Sequence, residues 1–205
     1  MNRLDIKKKA KAILKENFKV FWEGYLIIFA LSFVLNLGIG LIFGSSMIGT
    51  VLSLVASCFS MTLSVGFYSY LLKMIRKESF SREDIFKFIN KVLPIIVISL
   101  LVGIFCFLWS ILFIIPGIIA ALSYSMVYYI FTENSELTAM DYLEKSKKMM
   151  NGYKLDYFLF NLSFMGWMIL SILTLGLLLI WTLPYFSISQ ALYYDELKKK
   201  NVDNL

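Results

Sequence analysis

Few residues of this 205-residue chain could do chemistry, and the types that are missing say as much as those present. There is no His, which removes the usual general base, the commonest metal ligand and the usual pH switch. The carboxylates Glu133, Glu136 and Asp156 flank apolar stretches, where a rim enzyme could use them. Their spacing specifies no reaction. Cys58 and Cys106 both fall inside apolar stretches and behave there as small apolar residues, so no disulfide or metal framework follows. Neutral polar groups form the remaining pattern. Ser32, Asn36, Gly40 and Gly44 recur every four residues, and Gly49, Ser53, Ser57, Ser60 and Ser64 line one side of the next segment. Such stripes let helices approach closely in lipid, and the two are expected to face each other. Alternatively, they line a polar pathway, with Pro184 as a helix kink beside it. No cofactor and no metal site is expected.

The elements that carry these residues follow from charge. All 20 Lys and Arg lie in Arg3–Lys19, Lys73–Lys91, Lys145–Lys154 and Lys198–Lys200. Between them, Gly24–Leu72, Val92–Thr132 and Tyr157–Tyr194 contain no charge. Since roughly 20 apolar residues cross a bilayer core, each run suits two crossings and a turn. With 59% hydrophobic and 17% charged residues, a soluble domain is excluded. The fold expected is an all-α polytopic membrane bundle of six transmembrane helices in three hairpins, each preceded by a cytoplasmic-side amphipathic helix. Residues 1–205 form one integral membrane domain. Its parts are a basic amphipathic helix (1–19), hairpin 1 (20–72), an interfacial helix with hairpin 2 (81–132), and an interfacial helix with hairpin 3 (136–197).

The turns near Gly44–Met47, Trp109–Gly117 and Thr174–Gly176 lack Lys and Arg, so the positive-inside rule places both termini and both long loops in the cytoplasm. The net charge of +6 is accounted for by that rule, and no nucleic-acid partner is implied. In the N-terminal helix, Ile6, Ala10, Ile13, Leu14 and Phe18 share one side. The basic residues Lys7, Lys8, Lys9, Lys11 and Lys15 are expected to meet anionic lipid headgroups. Ser81 with Asp84, and Thr138 with Asp141, give cap-like starts for the other two amphipathic helices. Most Tyr residues fall at the cytoplasmic boundary and read as belt residues. Pro184 should free a carbonyl that some neighbour must satisfy.

From Phe107-Leu108-Trp109 through Ile114-Ile115-Pro116-Gly117-Ile118 and Ser123-Tyr124-Ser125-Met126, the chain resembles a known family. The likeness continues at Ala139, Leu143, Ser146, Lys147, Met150, Gly152 and Lys154, then at Trp167 and Leu183-Pro184-Tyr185, and includes the basic start at Leu4–Phe18. It is the bacterial membrane-protein family known as domain of unknown function 975. Residues Pro116 to Gly152 are also similar to the membrane region of some glycerophosphodiester phosphodiesterases, without their catalytic domain. The resemblance implies six helices in the bacterial cytoplasmic membrane and no activity. The expected function is therefore non-enzymatic: contact with lipid or with another membrane protein, in an accessory or immunity-like role. A small transporter or channel with a neutral polar cavity is the alternative.

Overall fold

A computed structural model describes residues 2–201, all-α with no strand among them. The helices are α1 (Arg3–Phe43), α2 (Met47–Arg76), α3 (Val92–Leu112), α4 (Ile114–Tyr124), α5 (Val127–Glu133), α6 (Ala139–Met149), α7 (Lys154–Leu173) and α8 (Leu179–Asn201). Five stretches are long and apolar enough to cross a membrane: Arg3–Phe43, Met47–Arg76, Arg82–Leu112, Ile114–Glu133 and Lys154–Leu173. That suits a helical membrane bundle. The last helix, α8, is not among the five, because serines, Gln190 and a charged final third dilute its apolar residues.

The expected amphipathic helix and the first apolar segment are two arms of α1. They meet at Asn17, whose backbone leaves helical geometry (φ −116°, ψ 21°) while its side-chain amide donates to the Ile13 carbonyl at 3.1 Å. Asn competes for backbone partners in this way, which makes it a natural break point. Ile6, Ala10 and Leu14 are buried, as the periodicity requires, but what covers them is protein. Arg3 pairs with Asp156 at 3.3 Å and Lys9 with Glu196 at 3.2 Å, so the first arm runs along both α7 and α8. Phe18 stacks on Trp181 with ring centroids 4.5 Å apart.

Between α1 and α2 the packing at the end near Glu23 is aromatic. Phe21 meets Phe67 edge-on at 5.3 Å, Tyr70 donates to the Val20 carbonyl at 2.9 Å, and a Cβ on Gly24 would stand 3.1 Å from the Tyr70 ring. At the far end, Gly44 turns the chain with φ +54°, and Ser46 caps α2 by accepting from the Gly49 N–H at 3.1 Å.

Both predicted cap starts carry a complete capping box, at Ser81/Asp84 and Thr138/Asp141. Only the second opens an α-helix, α6. After Ser81 the chain makes two short 3-10 turns, Arg82–Phe86 and Ile89–Lys91, in place of the amphipathic helix expected there. The cause is packing. Ile85 and Phe88 are driven into the core, and the Ile85 backbone lies so close to α2 that a Cβ on Gly66 would overlap the Ile85 carbonyl. A glycine at 66 permits that approach, and a regular amphipathic helix lying on the surface would not make it.

The stretch Ile114–Glu133 is broken at Ser125 and Met126, between α4 and α5. Ser146 of α6 closes the gap, donating to the Ser123 carbonyl at 2.7 Å and accepting from the Met126 N–H at 3.3 Å. Opposite, the α3–α4 turn is tight because Gly117 lies against Ser110, where a Cβ would overlap the Ser110 hydroxyl.

The third hairpin departs from expectation. It pairs antiparallel, with Asn161 against Gln190 at 3.1 Å and Ser171 against Thr182 at 3.3 Å. Its turn at Thr174–Gly176, however, does not sit beside the Gly44 turn. Trp22 donates its indole N–H to the Ile180 carbonyl at 3.2 Å, and the adjacent Glu23 pairs with Arg82 at 2.8 Å. The start of α8 is thus level with the charged end of the molecule. Its other end is there too, since Asp195 pairs with Arg76 at 2.7 Å. From Trp22 to Gly44, α1 rises about 33 Å at 1.5 Å per residue.

The tyrosines are corrected as well. Tyr70, Tyr129, Tyr157, Tyr193 and Tyr194 are buried, not placed in an outward belt. Four of them pair off, Tyr129 with Tyr194 at 5.0 Å and Tyr157 with Tyr193 at 4.8 Å, directly under the charged end, while Tyr70 packs on Phe67 and Phe80.

Candidate functional site

The charged end is a set of satisfied ion pairs. Arg76, at the last position of α2, reaches Glu133 at 2.6 Å and Asp195 at 2.7 Å, joining α2, α5 and α8. Glu133 also accepts from Tyr194 and Lys198, both at 2.7 Å. Asp156 takes Arg3 and the Tyr193 hydroxyl at 3.1 Å. Lys73 holds Asp84 at 2.6 Å, and Lys91 holds Glu136 at 3.0 Å. The three carboxylates that sequence offered to a rim enzyme, Glu133, Glu136 and Asp156, are all engaged this way. Burial works against the charge on Asp195, yet hydrogen bonds from Arg76 and Lys199 outweigh it and hold the carboxyl below its ordinary value. Exposed Glu136 is held low by Lys91, and Asp141 by the Thr138 hydroxyl and N–H. Among the described residues no group of His, Cys, Asp or Glu could hold a metal ion.

The neutral stripes are not brought together. Gly40 is exposed, and a Cβ there would meet nothing within 4 Å; the same holds at Gly44. Asn36 is exposed and donates to the Ser32 carbonyl of its own helix at 2.8 Å. Ser57 bonds the Ser53 carbonyl, Ser60 the Ala56 carbonyl and Ser64 the Ser60 carbonyl, all four residues back along α2. Gly49 is buried, but against the turn at Gly44. The side chains of Asn36, Ser57, Ser60 and Ser64 are satisfied within their own helices, an option that periodicity cannot distinguish from cross-bonding. The carbonyl that Pro184 frees does find a neighbour. The proline is buried within α8, and the carbonyl its missing N–H leaves free is that of Ile180, which Trp22 supplies.

The basic arm divides in two. Lys7 is turned inward, with its ammonium 4.4 Å from the Phe164 ring centre and 3.5 Å from the Ser163 carbonyl. Lys9 is paired with Glu196, while Lys8, Lys11 and Lys15 are exposed. Lys11 and Lys15 border a groove of about 500 Å³ between the first arm of α1 and the third hairpin, walled by Leu14, Phe18, Trp167, Trp181, Thr182 and Tyr185. A neighbouring groove runs past Lys19, Trp22, Leu26 and Ile180. A third, of about 250 Å³, runs from Trp109 past Tyr124 to Lys147 and Lys154. None of the three is lined by Ser32, Asn36, Ser53 or Ser57. Sequence alone did not single out these grooves. Trp167 and Trp181 on either side of a turn, with lysines on a helix elsewhere, carry no local signal of being neighbours.

Residues 111–201 match the model of a family described as a protein of unknown function, DUF975, which bears out over that stretch the resemblance carried by Pro116-Gly117, Ser146, Trp167 and Leu183-Pro184-Tyr185. No curated protein and no solved structure matches the chain.

Proposed function

We propose that, in a family carrying no activity to transfer, this chain works without catalysis, as a bacterial cytoplasmic-membrane protein acting through contacts with lipid or with another membrane protein. One observation carries this reading: the charged groups of the rim are spent on one another, while apolar surface and unpaired lysines face outward. Carboxylates locked to Arg76, Lys198 and Arg3 are poor acid–base catalysts, because their protons and lone pairs already have partners. The charged end faces the cytoplasm by the positive-inside rule, with both termini on that side.

Six crossings are one arrangement of these helices. The ties at both ends of α8 favour another, in which α1, α2, α3 and the α4–α5 pair cross, while α7 and α8 lie at the cytoplasmic face with the basic arm paired along them. A lysine-bearing arm paired along α7 and α8 opposes full burial of those helices in hydrocarbon. The transporter alternative has no such support, since none of the three grooves is lined by Ser32, Asn36, Ser53 or Ser57. Reconstitution into liposomes tests the choice. No proton- or sodium-driven solute uptake is expected, and robust uptake abolished by Asn36→Leu would overturn the proposal in favour of a transporter.

A further inference from the structure

The groove between the first arm of α1 and the third hairpin has a chemical character of its own. Its aromatic walls, Phe18, Trp167, Trp181 and Tyr185, surround about 500 Å³, within the size range of small-molecule sites. Lys11, Leu14, Lys15 and Phe18 fall at helical spacing, so two ammonium groups stand on one edge of an apolar trough. No carboxylate lines it, and neither lysine pairs with one among the described residues. The Thr182 hydroxyl is already used, donating to the Leu178 carbonyl at 2.9 Å and accepting from Ser171 at 3.3 Å. What remains is a pair of cations beside an apolar slot. The same hairpin exposes further apolar side chains, at Met168, Ile172 and Leu177.

We infer that this groove binds one anionic diacyl phospholipid, its phosphate at Lys11 and Lys15 and an acyl chain against Trp167, Trp181 and Tyr185. This rests on the membrane-contact reading above and deepens it from a diffuse basic face to a defined site. Charge complementarity selects an anionic head, and the aromatic trough selects a chain-bearing ligand over a soluble anion. A peptide would require donors and acceptors along its backbone, and the trough offers few.

Tryptophan quenching reads the site directly. The chain has four Trp, so a W22F/W109F background leaves only Trp167 and Trp181 to report. The full chain is placed in vesicles of phosphatidylcholine containing a small fraction of brominated-acyl lipid, either phosphatidylglycerol or phosphatidylcholine, with folding checked by circular dichroism. The brominated anionic lipid should quench several-fold more than the brominated neutral one. K11Q/K15Q should erase that preference, so that the two brominated lipids quench about equally. K8Q/K9Q removes the same charge from the same arm outside the groove and should leave most of the preference intact. Equal losses from the two double variants would overturn the site while leaving general lipid contact standing. Quenching by neither brominated lipid would sink the membrane-contact reading itself. Loss of quenching on adding inorganic phosphate would make a free anion, not a lipid, the occupant.

Discussion

Trp22 and Pro184 lie in different arms of the molecule, yet each accounts for the other. Proline deprives the Ile180 carbonyl of its helical donor, and the Trp22 indole replaces it at 3.2 Å. Trp22→Phe should therefore cost about 1 kcal/mol in thermal unfolding in detergent. In a Pro184→Ala background, the substituted residue regains an N–H for Ile180, and the same change should cost close to nothing. A double-mutant cycle with no coupling would refute the link. Glycines separate as sharply. At Gly66 an added methyl group runs into the Ile85 backbone, so Gly66→Ala should destabilise by about 3 kcal/mol or more. At Gly40 nothing stands in the way, and Gly40→Leu should change stability by no more than about 0.5 kcal/mol. Sequence suggested the reverse emphasis, because Gly40 sits in a regular stripe and Gly66 does not. Spacing shows that residues share a face. What that face meets depends on contacts such as Gly66 to Ile85, which no local pattern announces.

At the scale of elements, the helices were largely legible and their surroundings were not. The stripe Ile6, Ala10, Leu14 and the caps at Ser81 and Thr138 were all visible in the residues, since amphipathic period and capping chemistry are local. Local signals could not show that the first arm of α1 lies on α7 and α8, or that the Ser81 cap opens 3-10 turns. Both outcomes are decided by long-range burial. The tyrosines failed for a related reason: a ring with one polar end suits a membrane boundary, but equally a buried tier beneath carboxylates that accept its hydroxyl. The ion pairs above that tier have a pH consequence. The Asp195 carboxyl is held below its ordinary value of 3.8, so its contribution to stability is present above that value and is lost as pH falls through the lower folded one. Melting temperature in detergent should stay nearly level from about pH 7 to 5 and drop below about pH 4. Asp195→Asn should lose about 1–3 kcal/mol at neutral pH and flatten part of the acid limb. An acid limb unchanged by Asp195→Asn would show that the Arg76 cluster does not hold α2 to α8.

For the whole molecule, the open question of arrangement reduces to one turn. Single cysteines at positions 45 and 115 should react with an impermeant thiol reagent from outside, and those at positions 80, 147 and 200 only after the cytoplasmic side is opened. Position 175 discriminates: it should be silent from outside if the third hairpin stays at the charged end, and reactive if that hairpin crosses. The charge distribution alone pointed to the second outcome, because an uncharged run long enough to cross twice looks the same whether it crosses or lies against a basic helix. The pairing of the first arm of α1 with the end of α8 also orders events in time. Lys9 and Glu196 are 187 positions apart, so their contact waits until almost the whole chain has left the ribosome. At about 5–20 residues per second, the N-terminal arm spends roughly 10–40 s without its final partner. During that interval its apolar stripe lacks α8, and the bilayer is a surface that can shelter it.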